Sequence, residues 1–140
     1  MCPPRDARWV RVVVAVFAAA AVGASCSRQN SVPAAASAQL SIRHSRYSAA
    51  VLHVHRGQLV TVTVRNDDPI DHELIIGDAA VQASHELGTD AHHQGGGAVS
   101  VPAGTTASTT YRFGSAGSWL FGCHLPGHYA YGMRGIVRVT

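Results

Sequence analysis

The stretch that most constrains this chain is its C-terminal run, Cys123 to Thr140, which reads CHLPGHYAYGMRGIVRVT. Cys123, His128 and Met133 are separated by four residues each. One short loop therefore offers a thiolate, an imidazole and a thioether. Together these soft to borderline donors select copper over magnesium, calcium or manganese, which prefer oxygen. Pro126 and Gly127 supply a turn between Cys123 and His128, and Gly132 allows another before Met133. The run Gly135 to Val139 that follows the loop reads as a strand.

The rest of the chain fits that expectation. Leu59 to Arg65 (LVTVTVR) alternates Val60, Val62 and Val64 against Thr61 and Thr63, the period-2 pattern of a half-buried strand. Further strands are expected at Gln39–His44, Ala50–His55, His72–Ile76, Val99–Val101, Thr105–Phe113, Ser118–Phe121 and Ile136–Val139. Turns are expected at Pro102-Ala103-Gly104 and Gly114 to Gly117. Seven to eight short strands at this spacing predict an all-β sandwich. The segment Gly77 to Gly97 shows little strand character and no helical period. It reads as a long His-rich loop, with His85, His92 and His93 as a possible secondary metal site.

A trigonal copper site with a weak axial Met needs a second imidazole. The candidate is His72, in NDDPIDHELIIGD; taken singly, it would also suit a surface histidine in a polar turn. The motif CHLPGHYAYGM followed by RGIVRV resembles the ligand loop of the cupredoxins, the type 1 blue copper proteins. Its spacing is similar to that of rusticyanin, and azurin has a similar C-x-x-P-G-H opening with one residue fewer before its Met. The resemblance covers roughly Gln39 to Thr140. It implies a Greek-key β-sandwich with one type 1 copper ion, and His72, Cys123, His128 and Met133 match the family's four ligand positions.

Other histidines are weighed differently. His124 follows Cys123, so its side chain should point away from the metal, toward the surface or a supporting role. His53-Val54-His55 resembles the His-x-His pairs of multicopper oxidases, but one pair in one domain does not build their cluster. A binuclear copper centre would need a second cysteine beside Cys123.

Length and composition bound the remainder. The chain has 140 residues, 46% hydrophobic, enough for one domain with a core. All eleven basic residues are arginine, and from Cys26 onward eight arginines face seven acidic residues. No basic stripe is left for nucleic acid. Residues 1–25 read as a secretory signal: Arg5, Arg8 and Arg11 precede the apolar run Val12 to Val22, which is too short for a transmembrane span. Gly23-Ala24-Ser25-Cys26 resembles a bacterial lipobox, with Gly23 where Leu is usual, so Cys26 is the expected lipidation site. Residues 26–38 read as a flexible tether and 39–140 as the copper domain. Losing Cys2 with the leader and acylating Cys26 leaves Cys123 alone, without a disulfide partner. The expectation is a non-enzymatic, extracytoplasmic, lipid-anchored monomer. It would carry single electrons to a redox partner protein, or store and deliver copper to a copper-handling partner.

Overall fold

A computed structural model describes residues 35–88 and 96–140. The leader, Cys26 and His92–His93 lie outside the described residues. The described part folds as two sheets. The first contains β1 (Ala36–Arg43), β2 (Arg46–Tyr47), β4 (Leu59–Asn66) and β7 (Thr106–Arg112), in the order β2-β1-β4-β7. The second contains β3 (Val51–Val54), β5 (His72–Gly77), β6 (Ala98–Val101), β8 (Gly117–Gly122) and β9 (Arg134–Val139), in the order β3-β9-β8-β5-β6. This is the expected Greek-key sandwich. The pairs β1–β4 and β3–β9 run parallel and the others antiparallel.

The core lies between the sheets and follows the alternation in the sequence. Leu40, Ile42, Val60, Val62 and Val64 face inward from the first sheet against Leu74, Ile76, Val101, Phe121, Val137 and Val139 of the second. Burying each such side chain stabilises the fold by about 1.5–3 kcal/mol relative to leaving it exposed. Strand β5, between β8 and β6, is buried along most of its length.

Three differences from the sequence reading stand out. Strand β1 starts at Ala36, pairing Ala36 with Val60, so the sheet reaches into the stretch expected as tether. A ninth strand, β2, pairs with β1 through Ile42–Tyr47 and Arg43–Arg46. The segment expected as an unstructured loop opens with a helix, α1 (Ala79–Glu86). Asp78 caps it, its carboxylate accepting from the Ala80 and Val81 amides at 2.9 and 3.0 Å. That satisfies donors a helix start leaves orphaned. The helix ends at Leu87 and at Gly88, whose φ of +66° suits a C-terminal stop. Gln82 is buried against the sheet and donates to the Ile75 carbonyl at 3.2 Å. A helix with few apolar residues gives no stripe to read; Asp78 at its cap was the available signal.

Candidate metal centre

Strands β5 and β8 are antiparallel neighbours, with Ile75 opposite Gly122. The first residue of β5, His72, and the residue just past β8, Cys123, therefore reach the same rim of the sandwich. Cys123 to Met133 connects β8 to β9, and Gly122 pairs with Arg134 at its base. Leu125-Pro126-Gly127-His128 closes a turn through His128 N–H to Leu125 C=O at 2.9 Å. Proline presets the second position and Gly127 takes φ +83° at the third, a conformation that favours glycine. A second turn brings the Gly132 amide onto the Tyr129 carbonyl at 3.0 Å, with Gly132 at φ +96°. The Met133 amide donates to the His128 carbonyl at 3.0 Å. The loop's shape is set by main-chain bonds.

Three of the four expected ligands converge. The donor atoms of His72, Cys123 and His128 lie within 4.8 Å of one another. Cys123 Sγ is 3.3 Å from His128 Nδ1, and the two imidazole centroids are 4.9 Å apart. Cys123 is 0% exposed, His72 1% and Met133 1%; His128 is half-buried and forms the outer edge. Met133 belongs to the same buried cluster as Cys123. His72 Nδ1 is buried without a hydrogen-bond partner. A buried imidazole nitrogen left so is costly unless something ligates it, and a thiolate-imidazole set fits copper.

Burial pushes the Cys123 thiol above the usual thiol value; the Glu73 charge adds to this, and the Leu125 and Glu73 amides oppose it. Burial, then nearby His72, holds His128 below the usual histidine value. The metal-free site thus favours a neutral thiol beside a neutral His128.

The supporting shell is polar on two sides. The Glu73 carboxylate accepts the His124 amide at 2.7 Å. The His124 side chain is itself buried, between buried Gln82 and exposed Glu86. Its Nδ1 lies 2.9 Å from Glu86 Oε2 and its Nε2 lies 2.8 Å from Gln82 Oε1. Its ring stacks on Tyr129 at 4.4 Å and 18°. Tyr129 is half-buried beneath Arg134. Tyr131 is 84% exposed and Ile70 47%. On the other side, His72 Nε2 meets Asp68 Oδ2 at 3.1 Å. Burial alone would raise the Asp68 carboxyl. The Ser45 and His44 amides and then His72 outweigh it, holding the carboxyl below its usual range. Asp68, Glu73 and Gln82 were not singled out from the sequence, because ordinary polar residues gain this role only through tertiary contacts.

Among the described residues, His72, Cys123 and His128 form the single group of three His, Cys, Asp or Glu donors close enough for one ion. His53 and His55 stand on the exposed face of β3 and just beyond it. Of the secondary site expected at His85, His92 and His93, His85 alone lies among the described residues. His85 lies in α1 with its ring 5.6 Å from that of His124.

The chain matches the model for copper binding proteins of the plastocyanin/azurin family over residues 34–140. It belongs to that family. Copper is accordingly the metal for which this family member's His72, Cys123 and His128 are positioned. The copper-resistant cuproprotein CopI of Rubrivivax gelatinosus is 36% identical over 98 residues, covering 67% of this chain and 59% of that protein. The chain thus spans about three-fifths of that relative's length. An auracyanin from the photosynthetic bacterium Roseiflexus castenholzii superposes with a TM-score of 0.64 at 21% identity, covering 76% of this chain and 98% of that one. Auracyanin B does so with a TM-score of 0.64 at 20% identity, covering 76% and 89%. These two likenesses bear on the fold.

Proposed function

We propose that this protein is a one-electron copper carrier working outside the cytoplasmic membrane, in which His72, Cys123, His128 and Met133 would hold a type 1 copper ion. The observation that carries this reading is the burial of the donor set. Cys123, His72 and Met133 are sealed in the core and His128 alone reaches toward the surface. Such a site suits the passage of an electron through one imidazole edge better than the passage of an ion.

Copper, when bound, supplies the Cu(II)/Cu(I) couple. The chain's own part is to restrain the donors. The loop's main-chain bonds fix Cys123, His128 and Met133 relative to one another, and β5 fixes His72. A site that rearranges little on reduction exchanges electrons readily. Exposed Tyr131 and Ile70 offer apolar surface to a redox partner protein. The leader and Cys26 support lipid anchoring in the cell envelope.

A second reading, copper storage or delivery to a copper-handling partner, is favoured by the name of the CopI relative, a copper-resistant cuproprotein. The test is the visible spectrum after one equivalent of Cu(II), with and without Cys123→Ser, followed by a chelator challenge. An intense band that bleaches on reduction, returns on oxidation, vanishes in the variant and survives the chelator supports the carrier. A weakly coloured protein that surrenders copper within minutes overturns it in favour of copper handling.

A further inference from the structure

The hydrogen bonds of Asp68 set it apart from the other acidic residues of the domain. Its neighbour Asp67 takes two arginines, Arg43 at 3.1 Å and Arg65 at 3.0 Å. Asp68 instead meets His72 Nε2, at 3.1 Å. Its side chain is 10% exposed and that of His72 0%. The carboxylate is also firmly placed. Oδ1 accepts the His44 amide at 2.7 Å and Oδ2 accepts the Ser45 amide at 2.7 Å. The Asp68 amide donates to Asn66 Oδ1 at 3.0 Å. Asn66 in turn is buried and donates to the Ile70, Val101 and Pro102 carbonyls. The segment leading into His72 is thereby pinned to both sheets.

His44 and Ser45 both adopt left-handed conformations, φ 53° and 54°. Consecutive amides in such a turn point together into a concavity that binds an anion. Here the anion is Asp68. A two-residue hairpin turn with both φ values positive normally carries Asn-Gly. Finding His-Ser there marks strain that the surroundings maintain, a feature that clusters at functional sites.

We propose that Asp68 is a positioning residue for His72: it accepts the Nε2 proton, so that Nδ1 faces Cys123 and His128 as a free donor, and its charge behind the ring weights the bound metal toward Cu(II) over Cu(I). A carboxylate hydrogen-bonded to a ligating histidine fixes its tautomer and raises its basicity. A charge held in a poorly solvated place acts more strongly than one in water. The more highly charged oxidation state gains more from both effects. This inference rests on the copper site proposed above, although its tautomer component concerns the metal-free chain.

The experiment compares wild type with Asp68→Asn and Asp68→Ala in the full chain. Nitrogen-15 spectra of the copper-free wild type are expected to show His72 as a single Nε2–H tautomer. Asp68→Asn can still accept at Oδ1 and should retain that tautomer while losing the charge; Asp68→Ala should give a mixture. In copper titrations with dithionite as reductant, Asp68→Asn should lower the Cu(II)-to-Cu(I) affinity ratio about tenfold, since losing such a partner typically costs 10–100-fold in metal affinity. For one electron that is a rise of about 59 mV in potential. An Nδ1–H tautomer in wild type overturns the proposal without any variant. A blue copper-loaded wild type whose affinity ratio is unchanged in Asp68→Asn overturns the proposal alone. A wild type that takes up no Cu(II) overturns it together with the copper-site reading.

Discussion

The Cys123 amide donates to the Met133 carbonyl at 3.1 Å, so the two ends of the ligand loop are joined by main chain. Gly127 lies midway in that loop, at φ +83°. A Cβ added there would sit in the left-handed region and 3.0 Å from the Tyr131 ring. Gly127→Ala is expected to cost about 1–2 kcal/mol from the backbone term. Thermal unfolding of the copper-free protein should show a fall in Tm of roughly 5–10 °C. An unchanged Tm would mean that the loop adopts another turn without penalty.

Gly122 and Tyr129 make a second, purely steric relationship. A Cβ on Gly122 would come within 2.4 Å of the Tyr129 ring, the same ring that stacks on His124. Gly122→Ala should therefore cost about 1–3 kcal/mol as overpacking. In a Tyr129→Ala background most of that cost should disappear, because the clash has gone. A double-mutant cycle measured by urea unfolding checks this, and additivity would refute it.

Copper affinity should depend on pH through Cys123 and His128. Burial raises the thiol above the usual value of about 8.5, so near pH 7 the metal-free site holds a proton that copper must displace. The metal-free state binds more protons than the loaded one, and affinity therefore rises with pH. From about pH 6.5 to 8.5 the expected slope is about tenfold per unit. His128, held below the usual histidine value by burial and His72, should add its own proton competition only in more acidic solution, steepening the slope there. Competition titrations against a chelator would give the slope; a flat profile would mean the thiolate is already formed in the metal-free protein.

Much of this was written in the sequence. The Val60, Val62 and Val64 alternation placed β4, and the Cys123 to Met133 spacing placed the loop, because both are local patterns. The pairing of His72 with that loop came from family resemblance; β5 beside β8 explains it physically. Strand β2 escaped notice because His44-Ser45 is not the chemistry of a hairpin turn, and its stabilising partner, Asp68, is distant in sequence. Helix α1 is held by one cap and one buried glutamine, leaving no periodic stripe. The network of Glu86, Gln82 and His124 joins two segments that no local rule connects.

The β1–β2 turn allows a test that separates its backbone role from its side chains. What reaches Asp68 is the pair of amides of His44 and Ser45, not their side chains. The double substitution His44→Asn with Ser45→Gly keeps both amides and installs the residues that accept positive φ most easily. Left-handed backbone costs an ordinary residue about 1–2 kcal/mol, so relieving it at two positions should stabilise the copper-free protein by about 1 kcal/mol or more. Glycine's greater freedom in the unfolded chain returns part of the gain. Copper affinity and potential should stay at the wild-type values, since the carboxylate keeps its donors. Calorimetry and a redox titration on the same variant decide the matter. A gain in Tm with an unchanged potential supports an amide-built cradle for Asp68. A shifted potential would show that the His44 or Ser45 side chain takes part after all.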